Sequence, residues 1–345
     1  MSEGKGRNKY EIDMCNGTIM DKLITFSVPL MLSSVLQLMF NAVDIIVVGR
    51  FSGSQALAAV GSTTALINIF VNLFIGISLG ANVLAARFYA LEMKKEMSET
   101  VHTAITFALI SGIVVAIFGV TLARFALEIM ATPEDVINKS VLYMRIYFCG
   151  MPFFMLYNYG AAVLRAVGDT KRPLLFLMIS GVVNAVLNLF LVIVFHLDVA
   201  GVGIATVISQ CISCILVLRC LYHTESSYQL RFSKLCLKTK YLRQIFAVGV
   251  PAGIQSTVIN LSNAMLQSSV NSFGSIAMAG YTAANNILGF LYVSINSVTQ
   301  ACMSFTSQNY GVKKWKRMDK VLIDCIILSV VVALTLGNGA YLLGP

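Results

Sequence analysis

Nine long apolar runs, parted by short stretches that carry nearly all the charge, constrain this chain more than any other feature. They fall at about residues 23–48, 57–86, 103–123, 141–164, 174–195, 199–218, 245–270, 276–305 and 321–343. A helix needs roughly 20 apolar residues to cross a bilayer. In lipid the backbone must satisfy its own hydrogen bonds, so runs of this length can only be helices. The pattern predicts an all-α integral membrane protein, a polytopic helical bundle with about nine spans. The first run follows a polar, charged segment and is too long for the core of a signal peptide, so it reads as the first permanent span. The seventh is unusually polar, with Gln255, Ser256, Asn260, Ser262, Asn263, Gln267 and Ser268, and is expected to face protein or water rather than lipid.

Composition supports the same class. Of 345 residues 57% are hydrophobic and 12% charged, whereas a soluble domain carries about a quarter charged residues. The net charge of +9 is split into clusters between apolar runs, as in membrane loops, and this argues against a nucleic-acid partner. The eight cysteines show no zinc spacing. Cys211 and Cys214 form a C-x-x-C without a second pair or a nearby histidine, and they read as small apolar side chains of a helix.

Loop charge sets the orientation, because Lys and Arg concentrate on the cytoplasmic side. Of the 25 basic residues, 21 fall in the N-terminal segment and the even-numbered connections. Only Arg50, Arg124 and Lys139 fall on the other side, and Arg145 lies within span four. An N-terminus in the cytoplasm, in a multi-pass protein of the cell inner (plasma) membrane, accounts for this asymmetry.

The segment after the longest basic connection repeats the segment from span one onward. At an offset of 222 residues Val28, Pro29, Ser34, Asn41, Ala42, Val48 and Phe51 match Val250, Pro251, Ser256, Asn263, Ala264, Val270 and Phe273. At 221, Ala56, Ala58, Tyr89, Lys95 and Met97 match Ala277, Ala279, Tyr310, Lys316 and Met318. An offset of six spans keeps orientation, so this is a parallel repeat about an axis along the membrane normal. The chain divides accordingly into a cytoplasmic segment (1–22), an N-terminal lobe of six spans (23–221), a linker (222–241) and a partial C-terminal lobe of three spans (242–345). Three helices of a second full lobe are missing from it, which suggests a truncated chain or gene fragment.

Span one reads Pro29-Leu-Met-Leu and ends Val43-Asp44-Ile-Ile-Val-Val-Gly49. The connection after span four reads Gly168-Asp169-Thr170-Lys171-Arg172-Pro173, and the loop expected after span eight contains Gln308-Asn309-Tyr310-Gly311. These three elements, in this order, resemble the multidrug and toxic compound extrusion family over about residues 15–343. The resemblance implies two six-helix lobes and alternating access between them. It implies export of organic, often cationic, small molecules against inward Na⁺ or H⁺, with no cofactor, by a monomeric transporter whose other contacts are membrane lipid.

The residues themselves point to one place for coupling. Asp44 is the only acidic side chain well inside a run, roughly 8 Å from the outer end of span one. A buried carboxylate costs several kcal/mol unless it is paired, coordinated or protonated, so it invites a proton or Na⁺. Its bland alternative is a structural carboxylate bonded to a neighbouring helix. Asn184 and Asn188 in span five are one turn apart and share a face, as do Thr206 and Gln210 in span six. Amide and hydroxyl oxygens suit a hard cation, though they also serve as helix–helix glue. The resemblance assigns an N-lobe cation site to Asp44, Asn184, Asn188 and Thr206. Some family members carry an aspartate where Asn188 stands, and others an acidic residue on span seven, where Asn263 and Gln267 are the nearest substitutes. Asn41, Gln210, Asn263 and Gln267 are the remaining candidates for polar cavity lining, and transient Na⁺ at Asp44 is the only metal expected. Asp169, Lys171 and Arg172 read as a loop clamp, and Arg145 as a cation that snorkels outward. Pro152, with Gly150 and Gly160, is placed to bend span four.

Three rival readings remain. A flippase for a lipid-linked oligosaccharide or lipid, on a related fold, would need several cations in its cavity, and Arg145 is the only candidate. A membrane enzyme lacks a clustered His and carboxylate set, so none is expected. An inactive remnant of the exporter is the third.

Overall fold

A computed structural model describes residues 10–130, 132–271 and 275–343. Every regular element among them is helical. The order is α1 (Met20–Phe51), α2 (Gly53–Ala90), α3 (Lys94–Ile129), α4 (Glu134–Cys149), α5 (Met151–Ala166), α6 (Lys171–Leu189), α7 (Asp198–Tyr222), α8 (Thr239–Asn271), α9 (Ser275–Gly311) and α10 (Trp315–Leu343). A π-helical turn, Phe190–Val194, extends α6. Each predicted run maps to one helix, except the fourth, which is two.

That fourth run breaks at Gly150, with a bend of 44° between α4 and α5. The cause is local. Gly150 closes α4, and Pro152 in the first turn of α5 has no N–H to give to the preceding turn. Gly160 does not bend the chain. It lies inside straight α5, where a Cβ would meet the Val217 methyls at 3.0 Å.

Among the described residues seven helices are long and apolar enough to span a bilayer on their own, and the bent pair makes an eighth. Helix α9 is not among them. Its second half is rich in Ser, Thr, Asn and Gln. It nevertheless packs against α1, α2 and α10, where polar side chains find protein partners instead of lipid. The structure also places Gln308–Gly311 at the end of α9, not in a loop.

Helices α1–α7 form one bundle, and α8 and α9 lean on it through α2 and α1. The α2–α8 crossing is made by two matched pairs of glycines. A Cβ on Gly76 would lie 2.2 Å from the Cα of Gly253, and one on Gly80 would lie 2.1 Å from the Ile245 carbonyl. From the other side, Gly249 and Gly253 would strike Ile77 and Leu73 at 2.6 Å. Small residues four apart on both helices let the backbones touch, which is how helices associate where lipid removes the hydrophobic drive. On the far flank Phe26 of α1 meets Phe305 of α9 edge to face, centroids 5.7 Å apart. Those rings anchor a small core with Met14, Leu23 and Val321.

Candidate functional site

Asp44 sits in the half of α1 remote from the N-terminal segment. Its Oδ1 accepts a hydrogen bond from the Asn188 Nδ2 of α6. The same Nδ2 reaches Asn184 Oδ1 at 3.2 Å, one turn back on α6. Asn188 is fully buried and Asn184 nearly so. The amide oxygen of Asn188 is buried with no hydrogen-bond partner. An orphaned buried acceptor beside a carboxylate leaves unsatisfied negative potential, which a cation or a proton donor would relieve. No Lys or Arg among the described residues forms an ion pair with Asp44. The π-turn that starts at Phe190 follows Asn188 directly; such turns recur at functional sites.

Next to Asn188, which does not itself line it, lies a cavity of about 320 Å³ between α1, α2, α4, α5, α6 and α7. Asp44, Asn184 and Thr206 line it, together with Asn41 and Gln210. The Thr206 hydroxyl donates to Val202 of its own helix at 2.9 Å, which leaves its oxygen lone pairs for the cavity. The Gln210 amide oxygen is another buried atom without a partner. Tyr143, Tyr147 and Tyr157 make an aromatic wall that sequence reasoning had not singled out. Among its described lining residues Asp44 is the sole charge, and no Lys or Arg is present.

One further candidate falls elsewhere. Asn263 is exposed on α8, away from this cavity, as are Asn260 and Ser262. The Gln267 side chain lies outside the described residues. Arg145 is exposed and donates to the Val120 carbonyl at 3.2 Å, so it contributes nothing to the cavity. No group of three or more His, Cys, Asp or Glu that could hold a metal exists among the described residues. A larger cavity of about 560 Å³ opens between α2, α8 and α9. It is lined by Arg87, Lys240 and Glu96, far along the helices from Asp44, and suits a cation less well.

At the opposite end of the bundle, where the basic clusters gather, the structure adds a network that the sequence did not announce. Asn82 of α2 donates to the Ala162 carbonyl at 2.9 Å and accepts from the Ser304 hydroxyl at 3.0 Å. Gln308 donates to the Ala166 carbonyl at 2.7 Å, and Asn309 to Met14 at 3.1 Å. Residues 10–19 form a strap below. Both carboxylate oxygens of Glu11 are used, accepting from Tyr89 and Tyr228 at 2.7 Å each. Carbonyls of Met14, Asn16 and Gly17 accept from Arg317. Gly168 has φ +95°, and a Cβ there would press on the Ile12 backbone N at 2.5 Å. Only glycine meets both demands. Next to it Asp169 is buried and ion-paired with Arg172, as the loop-clamp reading expects. Burial raises the Asp169 carboxyl above its ordinary value, and the Arg172 charge opposes that rise.

Long apolar helices that enclose a pocket with one carboxylate and no base define an integral membrane transporter. Comparison with known proteins narrows this. The family model described as MatE matches residues 29–190 and 251–342, stretches that open on the prolines of the internal repeat. The probable multidrug resistance protein YoeA of Bacillus subtilis (strain 168) is 34% identical over 316 residues, 89% of this chain and 68% of that protein. The multidrug export protein MepA of Staphylococcus haemolyticus (strain JCSC1435) is 22% identical over 318 residues, 92% of this chain and 70% of that one. In structure the chain superposes on an outward-facing multidrug resistance MATE family transporter of the MOP superfamily. The TM-score is 0.92 at 20% identity, over 99% of this chain and 76% of the other. A Pyrococcus furiosus MOP superfamily transporter, described as having a binding pocket of reverse polarity, has a TM-score of 0.90, also at 20% identity, over 98% and 75% of the two chains. The chain belongs to the MatE family of multidrug efflux transporters.

Proposed function

We propose that the chain works as a cation-coupled antiporter, in which Na⁺ or H⁺ enters at Asp44 and an organic cation leaves by alternating access. The observation that carries this reading is the lone carboxylate in an aromatic, base-free cavity. A cavity of about 320 Å³ lies within the range for small-molecule sites. Its negative group attracts a cation and repels a phosphate, which disfavours a lipid-linked sugar. Aromatic faces add cation–π attraction for an organic cation.

Coupling follows from competition for one charge. With Asp44 ionised, the site holds organic cation. With Asp44 protonated or bound to Na⁺, that attraction is gone and the substrate is released. A protonated Asp44 can donate to an amide oxygen. Turning the Asn188 amide by half a revolution puts its orphaned oxygen beside Asp44, and with Asn184 and Thr206 gives the oxygen-rich set a Na⁺ needs. The closed network at the basic end fits a state that opens on the other side, with the N-terminus in the cytoplasm and the chain in the cell inner membrane.

Ethidium efflux from cells expressing the full-length gene tests the reading. The wild type is expected to lower cell ethidium while a gradient lasts, and Asp44→Asn is expected to leave it at the level of empty cells. Replacing Na⁺ with choline distinguishes the ions: loss of efflux assigns Na⁺, and persistence until the proton gradient is collapsed assigns H⁺. Gradient-driven efflux that survives in Asp44→Asn would remove this carboxylate from the mechanism.

A further inference from the structure

A third cavity, of about 530 Å³, opens on the basic face between the first turns of α3 and the linker that leads into α8. Lys94 and Lys95 line it from α3, Lys234 and Lys238 from the linker. One carboxylate, Glu99, faces them, and it is already ion-paired with Lys238. Three lysines are left without an ion-pair partner among the described residues. Glu96 belongs to the neighbouring cavity, where Lys240 accompanies it. The uncapped N-terminus of α3 adds its positive end to the same spot.

The walls are held in place by buried bonds. His102 is buried and its Nδ1 lies 2.6 Å from the Ser98 carbonyl, so Nδ1 carries the proton. Its Nε2 then accepts from the Arg231 backbone N–H at 3.1 Å. The Lys238 N–H donates to the Thr103 hydroxyl at 3.3 Å. The linker is thus stitched to α3 at Arg231 and at Lys238, on both sides of Lys234.

Depth and flanking side chains indicate what fills the cavity. The apolar run of α3 begins at residue 103, one position beyond His102. Lys94 and Lys95 therefore stand roughly 12 Å above the hydrocarbon boundary. The headgroup layer of one leaflet is about 5–8 Å thick, so the cavity spans it. Beside it Phe232 and Leu237 of the linker are 56% and 46% exposed, outside every apolar run. Phe232 is propped by Tyr222, with centroids 5.8 Å apart and planes at 25°. A soluble phosphate needs no apolar flank; an acyl chain does. We infer that this cavity binds the phosphate headgroup of an anionic phospholipid, with Phe232 and Leu237 against its acyl chains. Basic pockets at the cytoplasmic ends of spans take anionic headgroups for the same electrostatic reason. The bound lipid would join α3 of the first bundle to the segment that leads into α8.

The test uses the purified full chain in detergent, titrated separately with phosphatidylglycerol, phosphatidylcholine and inorganic phosphate at one ionic strength. Melting midpoint and native mass spectrometry are the readouts. Phosphatidylglycerol is expected to raise the midpoint and to stay bound, while the other two do neither. The quadruple variant Lys94→Gln, Lys95→Gln, Lys234→Gln, Lys238→Gln is expected to lose at least about tenfold in phosphatidylglycerol affinity. The control Lys316→Gln, Lys320→Gln, on another part of the same face, is expected to lose none. The pair Phe232→Ser, Leu237→Ser, which keeps every charge, is expected to weaken lipid retention and is read alone if the quadruple variant fails to fold. Equal loss in the control, unchanged affinity in both lipid-site variants, or stabilisation by inorganic phosphate as large as by the lipid would each overturn the assignment.

Discussion

Asp44 was legible from the sequence because it violates the composition of its surroundings: one carboxylate in an apolar run has to be there for something. Asn184 and Asn188 were legible as a pair because four residues make a helical turn, but their meeting with Asp44, across 144 residues of chain, came only from family resemblance. Periodicity reports which face a residue takes, not what stands opposite. Since the Asn188 amide donates to a carboxylate, a bond of about 1.5–3 kcal/mol, Asn188→Leu is expected to shift the ion concentration for half-maximal efflux about tenfold: upward if the ion is Na⁺, which loses an oxygen ligand, and downward if it is H⁺, which no longer competes with that bond. An unchanged ion dependence would show that the amide is only packing. Asp169 gives a stability prediction of the opposite kind. Its carboxylate is fully buried and its partner Arg172 is 16% exposed. Arg172→Ala leaves a buried charge unpaired, so the melting midpoint in detergent should fall by the equivalent of about 3–5 kcal/mol. A midpoint within experimental scatter of the wild type would mean that water reaches Asp169.

Helices were easier to read than their meetings. Nine apolar runs suffice to place helices, because length and apolarity are local properties. The break at Gly150 was announced by a local Gly-x-Pro. The helical end of α9 was not, because Asn309 and Gly311 look like turn residues until the carbonyls of Met14 and Ala166 are there to receive Asn309 and Gln308. The α2–α8 crossing likewise needs both glycine pairs at once, and neither pair alone names its partner. Gly80→Leu forces the two backbones apart at a place where a Cβ alone would lie 2.1 Å from the Ile245 carbonyl oxygen. Overpacking of this kind costs about 1–3 kcal/mol or more. It is expected to lower the melting midpoint and to raise maleimide labelling of a cysteine placed at Ser304, on the sealed side. Labelling equal to that of the glycine parent would show that the crossing does not hold that side shut. Gln308→Ala, which leaves the buried Ala166 carbonyl without its donor, should act in the same direction by about 1–3 kcal/mol.

For the whole molecule, the fold that charge and hydropathy imply is the fold observed, and family membership follows from sequence and structure together. Direction and coupling are physical proposals with their own tests. Placing the basic face in the cytoplasm predicts that, in a background with the native cysteines replaced, Lys313→Cys reacts with a membrane-impermeant maleimide only after cells are opened. Arg124→Cys should react in intact cells, and the reverse pattern would invert the orientation. The central claim is that one carboxylate carries ion and substrate in turn. It is tested most directly by following both fluxes in proteoliposomes of the full-length protein, ethidium in one direction and ²²Na⁺ or vesicle pH in the other. The account predicts that ethidium movement drives an opposing ion flux in the wild type, and that neither flux exceeds protein-free vesicles in Asp44→Asn. Ethidium movement with no accompanying ion flux in the wild type, or coupled flux retained in Asp44→Asn, would contradict it.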